Sequence, residues 1–329
     1  MAVSYTPLTV AVVDEDFASA VLRTRGLTKR YGELVAVDHV DLTVPAGDVY
    51  GLLGPNGAGK TTFMRMLFGL IRSDAGSVEL FGRPGVQGKV EALHDVAGFV
   101  ETPRFYGYLS GRANLELLAT LDRRDGDGRI DEVLAQVDLV HRAKDKLREY
   151  SYGMVQRLGV AAALMRAPRL LVLDEPTNGL DPAGIRDMRA LVRELADGGI
   201  TVLLSSHNML EVEEICRHVA IMRRGELAFE GSLDELRARA EDVQYRLVSS
   251  DDALAAEVAE QVEGVHRVVR QADGVRFDSQ PVPVERLTVE LGARGIGIRQ
   301  LELPTTPLET LFFRLTESAA PPAAEPVTA

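Results

Sequence analysis

The sequence is poor in cysteine, since Cys216 is the only one among its 329 residues. One thiol cannot form an intrachain disulfide, and a zinc site made mainly of thiolates needs several of them. Such low cysteine usage is ordinary in reducing compartments, so we expect a protein of the cytosol.

Basic residues and long apolar runs are also scarce. The chain has 37 lysines and arginines against 49 acidic residues, a formal net charge of −12. General nucleic-acid binders normally present a net basic face, so this charge predicts no nucleic-acid partner. Charge-free apolar stretches fall far short of the roughly 20 residues that span a bilayer, and no cationic segment precedes Leu8–Val13, as a secretory signal would require. Any membrane role is therefore expected to come through a partner.

Hydrophobic residues make up 46% of the chain and charged residues 26%, which is typical of folded globular domains. At roughly 150 residues per domain, the length predicts about two domains. A composition shift near residue 237 separates them. We expect a flexible extension over 1–20, a first domain over 21–237, a small second domain over 238–318 and a disordered tail over 319–329.

Short apolar segments alternate with helical patterns in the first domain. Leu170–Leu173 and Ile200–Leu204 predict strands buried on both faces, as in a parallel sheet covered by helices. The segment 183–195 between them predicts an amphipathic helix, and residues 105–166 predict a mostly helical subdomain. The fold class of this domain is therefore α/β with a parallel core sheet.

The second domain has a different order of elements. Its pattern predicts strands and helices in the order βαββαβ, which is the order of a ferredoxin-like α+β domain. In the first of its helices, Leu254, Val258 and Val262 recur at every fourth residue and are predicted to form the buried stripe. The predicted elements are strand 243–248, helix 251–263, strands 265–271 and 274–279, helix 284–294, strand 297–303 and a last helix over 307–316.

A glycine-rich loop follows the apolar strand Val49–Leu53 and precedes a helix. Residues 54–61 read GPNGAGKT and fit the pattern G-x4-G-K-[ST]. Glycines let the backbone N–H groups wrap an anion, and the helix N-terminus adds its dipole. A lysine and a threonine at these positions serve the β- and γ-phosphates and a Mg²⁺ ion. The predicted phosphate-binding residues are Gly54, Asn56, Gly57, Ala58, Gly59, Lys60, Thr61 and Thr62.

Two acids end the buried strand Leu170–Leu173. Asp174 is predicted to join Thr61 in holding Mg²⁺, and Glu175 to polarise the water that attacks the γ-phosphate. A phosphate loop alone would also fit a kinase or a GTPase. The acid pair followed by residues 176–182, PTNGLDP, argues against both of these classes.

With these motifs in this order, residues 21–235 resemble the ATP-binding subunits of ABC transporters. The resemblance implies a P-loop ATPase with a parallel core sheet, a small antiparallel β subdomain and a helical subdomain. It also implies that Tyr31 stacks on adenine and that Asp181 lies in the loop that communicates between two subunits. His207 corresponds to the switch histidine that contacts the γ-phosphate.

Residues 150–154, YSYGM, occupy the place of the family's signature, usually LSGGQ. Ser151 and Gly153 are retained, whereas Tyr152 replaces a glycine. In this family the signature meets the phosphate loop of a partner subunit, so the resemblance implies two subunits that enclose two ATP molecules. We expect a homodimer, and a pair with a sister ATPase subunit stays open as the alternative.

Glu101 stands where the family usually has glutamine, in the loop that links the nucleotide site to the membrane domain. A carboxylate there is predicted to ligate Mg²⁺ more strongly than an amide, and to repel the γ-phosphate. The surrounding residues, 101–103 (ETP) and 105–115, resemble those of bacterial drug-efflux and peptide-antibiotic immunity exporters.

The sequence thus predicts an ATPase that powers a separate polytopic membrane permease from the cytoplasmic face of the membrane, with a drug, a peptide or a lipid-like molecule as the expected exported substrate. Two alternatives stay open at this point. One is an ABC ATPase coupled to a membrane partner that moves no substrate. The other is a soluble ABC ATPase associated with nucleic acid or ribosomes, which the net charge of −12 disfavours.

Overall fold

The computed structural model describes residues 20–84, 93–122, 126–239, 243–303 and 306–316. The expected tail over 319–329, and all but the last residue of the expected N-terminal extension, lie outside these ranges. The chain forms two compact units that divide between Leu233 and Asp234. The expected domain boundary after residue 237 falls inside the helix Leu233–Ala238.

The first unit contains ten strands and six α-helices among its described residues. The strands are β1 (Ala20–Tyr31), β2 (Leu34–Pro45), β3 (Val49–Leu53), β4 (Ala75–Leu80), β5 (Arg83–Pro84), β6 (Val96–Phe99), β7 (Leu170–Leu173), β8 (Thr201–Ser206), β9 (His218–Arg223) and β10 (Glu226–Ser232). The helices are α1 (Lys60–Leu67), α2 (Gly111–Asp122), α3 (Ile130–Gln136), α4 (Tyr152–Leu164), α5 (Pro182–Asp197) and α6 (Met209–Ile215).

These strands form two sheets. The six-stranded sheet has the order β10-β9-β3-β8-β7-β6, in which every pair is parallel except β10 with β9. The predicted parallel core sheet is therefore confirmed. The second sheet, β2-β1-β4-β5, is antiparallel. Phe63 and Met64 of α1 are fully buried in one apolar cluster with Leu52 of β3 and Leu42 of β2, which joins the helix to both sheets.

Helix α5 buries one stripe of its surface, as the 3.6-residue period predicts. Met188, Leu191, Val192 and Leu195 are its buried residues. Four parallel strands, β3, β6, β7 and β8, end at the same edge of the core sheet, because parallel strands share one direction. The residues that follow these strands therefore gather in one place.

The second unit begins with α7 (Leu233–Ala238), most of which lies beyond the division. It continues with β11 (Val243–Ser249), α8 (Asp252–Gln261), β12 (Val265–Gln271), β13 (Gly274–Ser279), α9 (Pro281–Ala293), β14 (Ile298–Glu302) and α10 (Pro307–Thr316). Its antiparallel sheet has the order β12-β13-β11-β14, which is the strand order of the ferredoxin-like motif. The predicted topology is therefore confirmed.

Two details of this unit differ from the prediction. Leu254 is 36% exposed, and the residues that α8 buries are Ala255, Val258 and Ala259, so the predicted stripe is wrong at its first position. Helix α9 begins at Pro281 rather than at residue 284, since proline is favourable in the first helical turn, where its missing N–H has no intrahelical partner. Among the described residues, the helices are all too short or too polar to cross a membrane.

Candidate functional site

The glycine-rich loop lies between the end of β3 at Leu53 and the start of α1 at Lys60. Gly57 and Gly59 have φ values of 81° and 107°, a region that residues with a Cβ rarely adopt. A Cβ on Gly59 would lie 2.3 Å from the carbonyl oxygen of Ala36. Only glycine therefore fits this point of the loop.

The loop borders an open cavity of about 340 Å³. Tyr31, 47% exposed, lines the cavity, and the Nζ atom of Lys29 lies 5.4 Å from the centre of its ring. Gly54 is outside the lining, because its position is packed against the carbonyl of Met222. The lining residues are Tyr31, Leu34, Ala36, Asn56, Gly57, Ala58, Gly59, Lys60, Thr61, Thr62, Glu175 and Asn178.

Lys60 is only 5% exposed. Its Nζ donates to the carbonyl oxygens of Gly54, at 2.7 Å, and Pro55, at 3.3 Å. The same atom lies 3.1 Å from Oε1 of Glu175. The ammonium group is therefore held at the mouth of the loop by three oxygens, and it can move to an anion without leaving a polar environment.

Asp174 directly follows β7, and Ser205 is the last residue but one of the neighbouring strand β8. The Ser205 hydroxyl donates to Oδ1 of Asp174 at 2.5 Å and accepts from the backbone N–H of Glu175 at 2.9 Å. Through these two bonds the buried Asp174 and its neighbour Glu175 are oriented by the same serine. The sequence analysis gave Ser205 no role, although its place directly before residues 206–207 was a usable signal.

Glu175 is held between two nitrogen groups. Oε1 faces Lys60, and Oε2 lies 2.7 Å from Nδ1 of His207. The backbone of Glu175 has φ 50°, a strained conformation for a residue with a side chain, and such strain recurs at functional sites. A carboxylate oriented beside a cavity in this way can act as a general base or can polarise a water molecule.

Glu101 follows β6 and also has a positive φ, of 65°. Its N–H donates to Oδ2 of Asp174 at 3.3 Å, whereas its carboxylate lies 2.5 Å from Nη2 of Arg65 on α1. An arginine therefore balances the negative charge that Glu101 brings to the site. The sequence analysis missed Arg65, which is 36 residues from Glu101 and belongs to no motif.

Ser151 and Asp181 each cap a helix with a side-chain oxygen. Ser151 accepts from the N–H of Met154 at the start of α4, and Asp181 accepts from the N–H of Gly184 at the start of α5. With Gly153, they line a second cavity of about 480 Å³. This cavity shares no lining residue with the phosphate-loop cavity, so the structure does not bring Ser151, Gly153 or Asp181 to the phosphate loop of their own chain.

The described residues contain no group of three or more His, Cys, Asp or Glu side chains placed to hold a metal ion. Asn178, which the sequence analysis passed over, lines the phosphate-loop cavity beside Glu175. The site is thus a glycine-rich loop with a buried lysine, a buried acid and an oriented second acid along one sheet edge.

Comparisons with known proteins agree with this arrangement. Residues 37–178 match the family model described as ABC transporter. The bacitracin transport ATP-binding protein BcrA of Bacillus licheniformis is 41% identical over 303 residues, which cover 90% of this chain and 97% of that protein. The daunorubicin resistance ATP-binding protein DrrA3 of Streptomyces coeruleorubidus is 35% identical, with 83% and 94% covered.

Solved structures show the same likeness. The crystal structure of the ADP conformation of MJ1267, an ATP-binding cassette of an ABC transporter, aligns with a TM-score of 0.61 and 27% identity. The alignment covers 66% of this chain and 92% of that one. The chain therefore belongs to the ABC transporter family, as one of the ATP-binding subunits that bind nucleotide and hydrolyse ATP to power transport.

Proposed function

We propose that two copies of this chain close around two MgATP molecules and drive a separate polytopic permease that exports a drug or a peptide antibiotic. The chain would then act at the cytoplasmic face of the membrane, bound through the permease. The observation that carries the ATPase chemistry is the Glu175 carboxylate, held between Lys60 and His207 beside the phosphate-loop cavity.

Nucleotide binding uses the residues that line this cavity. The exposed ring of Tyr31 would stack on adenine, and the loop N–H groups and Lys60 would receive the phosphates; their common place in the cavity lining supports this assignment. Phosphate oxygens replace Glu175 and the loop carbonyls as the partners of Lys60. This exchange frees the Glu175 carboxylate for water.

The chemistry of the donor set fits Mg²⁺, which prefers hard oxygen ligands and shares them with phosphates. The Thr61 hydroxyl and the Asp174 carboxylate would hold it, and Glu101 would join them after leaving Arg65. When bound, the ion neutralises charge that develops on the phosphate oxygens. Ser205 keeps Asp174 oriented for this role.

Hydrolysis is assigned to Glu175 as the base that accepts a proton from the attacking water, with His207 close to the γ-phosphate. His207 contacts the acid through Nδ1, so its ring holds Glu175 as well. Ser151, Gly153 and Asp181 serve the second nucleotide of the pair, across the dimer. Their separation from the phosphate-loop cavity of their own chain supports this assignment.

The permease contact is assigned to Phe105, Tyr106 and Tyr108. Tyr106 and Tyr108 are 53% and 69% exposed, and their ring centres lie 5.7 Å apart. Exposed amphipathic aromatics are enriched at protein interfaces. The relatives named for bacitracin transport and daunorubicin resistance support a peptide or drug as the exported substrate.

The test of the ATPase is Glu175→Gln. Loss of the base is expected to lower turnover by about 10²- to 10⁴-fold while ATP still binds, which leaves a persistent ATP-bound dimer. Glu226→Gln, at an exposed position of β10, is the matched control and is expected to turn over ATP normally. Near-normal turnover in Glu175→Gln would remove this residue from the role of base.

The transport assignment is tested by isolating the tagged full chain from detergent-solubilised host membranes. A polytopic protein in about equal amount is the expected result. Recovery only from the soluble fraction, with RNA or ribosomes attached, would contradict the permease partner and favour the nucleic-acid alternative.

The Mg²⁺ role of Glu101 is tested by Glu101→Gln. A shifted Mg²⁺ dependence of ATP hydrolysis is expected, since a neutral amide replaces a charged ligand. Arg65→Gln is the companion variant, because it releases Glu101 without changing its charge. An identical Mg²⁺ dependence in Glu101→Gln and the native chain would exclude Glu101 from the metal shell.

A further inference from the structure

Tyr152 is the signature residue that departs most from the family pattern, and its contacts lead away from the helix that it begins. Its hydroxyl lies 2.9 Å from Oγ1 of Thr102. It also accepts a hydrogen bond from Nε2 of the buried Gln156 at 3.1 Å. The hydroxyl proton is therefore free for Thr102, and one side chain joins the start of α4 to the loop at residues 101–103.

The ring of Tyr152 also packs on a second loop. A Cβ on Gly179 would lie 3.3 Å from Cε1 of the ring, and Gly179 has φ 78° in the turn between Glu175 and Asp181. A side chain at residue 179 would combine this rare backbone conformation with a tight contact to the ring. Tyr152 thus contacts two loops at the sheet edge, the one that follows β6 and the one that follows the acid pair after β7.

Thr102 is one peptide bond from Glu101, which is tied to the nucleotide site twice. The Glu101 N–H donates to Asp174, and its carboxylate pairs with Arg65 on the helix that follows the phosphate loop. If the Glu101 carboxylate exchanges Arg65 for another partner, the resulting movement of the backbone reaches Thr102 through a single peptide bond. A continuous path of contacts runs from Asp174 through Thr102 to Tyr152.

We infer that Tyr152 is a positioning residue that couples the nucleotide site of one chain to Ser151 and Gly153, which serve the nucleotide of its partner. The inference rests on the proposed ATP-bound dimer. A glycine at residue 152 would make neither the hydroxyl contact nor the ring contact. The coupling is thus a consequence of this chain's departure from the usual signature.

The experiment is a double-mutant cycle on the full chain in the Glu175→Gln background. The variants are Tyr152→Phe, Thr102→Val and both together, and the measurement is the ATP concentration that gives half-maximal dimer. Each single variant is expected to raise this concentration by about two- to tenfold, as for loss of one hydrogen bond. The double variant is expected to match Tyr152→Phe, because that variant already removes the contact to Thr102 together with the bond from Gln156, and Thr102→Val then has nothing further to remove.

Effects that multiply in the double variant, or single variants that leave the ATP concentration unchanged, would overturn the inference. Tyr150→Phe is the matched control, since the Tyr150 hydroxyl donates to the carbonyl of Arg142 at 2.8 Å and not to the 101–103 loop. Its effect is expected to multiply with that of Thr102→Val. Thermal unfolding of each variant verifies that it is folded.

If Glu175→Gln forms no dimer with ATP, the proposed function fails at that step, and hydrogen exchange then decides the coupling within one chain. MgATP is expected to slow exchange of the backbone amides of residues 152–155 in the native chain but not in Tyr152→Phe. Unchanged exchange at these amides in the native chain would overturn the inference.

Discussion

The inner strands β7 and β8 of the core sheet and the edge strand β14 of the second unit's antiparallel sheet bury their residues in different ways. All residues of β7 and β8 are buried, whereas Glu302 is the least exposed residue of β14 and is still partly accessible. With both faces covered, the core sheet has its functional polar groups at the strand ends, as with Asp174. The second sheet carries ion pairs instead, such as Arg246 with Glu302 at 2.9 Å. Polar groups confined to the sheet edge can be substituted with little effect on the packing of the core. Substitutions of buried apolar residues change the packing and have little effect on the polar groups at the edge.

The largest expected effect lies in the second sheet. Phe277 is fully buried and stacks on Tyr245 with ring centres 5.5 Å apart. Phe277→Ala is expected to lower the free energy of unfolding of the second unit by about 3–5 kcal/mol, through lost burial and a cavity. Denaturant unfolding measures this change, and nucleotide binding at the phosphate loop is expected to remain. Loss of ATP binding would show that nucleotide binding by the first unit depends on the folding of the second.

Substituting one serine in each sheet sharpens the comparison, with a smaller expected effect on stability. Ser205→Ala leaves Oδ1 of the buried Asp174 without its donor, which is expected to cost about 1–3 kcal/mol of stability and about tenfold in turnover. Ser279→Ala, in the second sheet, removes part-buried bonds from the hydroxyl to the carbonyls of Gly264 and Gln280. It is expected to lower stability alone. Equal turnover in the two variants would contradict the edge assignment.

The smallest effect concerns pH and Glu230 on β10. Burial raises the pKa of this carboxyl group, although hydrogen bonds from the N–H of Thr43 and the hydroxyl of Tyr50 oppose the rise. The folded chain therefore binds this proton more readily than the unfolded chain. Its contribution to stability is lost as pH rises from the unfolded pKa through the raised folded one.

Glu230→Gln removes this pH dependence and keeps an acceptor oxygen. The variant is expected to be more stable than the native chain at neutral pH and to lose that advantage near pH 4. Denaturation at a series of pH values measures the difference, with the exposed Glu226→Gln as control. The same pH slope in Glu230→Gln and the native chain would contradict the prediction.

Periodicity and motif spacing predicted the elements that depend on local sequence. The parallel core strands and the βαββαβ order were readable because strand burial and helical stripes leave short-range patterns. The predicted stripe on α8 is wrong because the small residues Ala255 and Ala259 form the buried face beside Val258. The prediction selects the large apolar side chains of the helix, and large size alone does not indicate burial.

Contacts between distant residues could not be read in the same way. The pairing of Glu101 with Arg65 spans 36 residues, and that of Tyr152 with Thr102 spans 50. Neither pair belongs to one motif, and a salt bridge or hydroxyl contact leaves no periodic signal. The motifs therefore located the site, but not the partners that hold Glu101 and Tyr152.

The partners of Lys60 have a consequence for affinity. Because two carbonyl oxygens and a carboxylate of the chain itself satisfy this cation, the proposed nucleotide binding is a ligand-exchange equilibrium rather than the filling of an unmet charge. The measured affinity is then the difference between two sets of charge-assisted hydrogen bonds, each strong on its own. A triphosphate that binds strongly enough to displace the old partners is still released once that difference shrinks, which suits a subunit that must empty its site in every cycle.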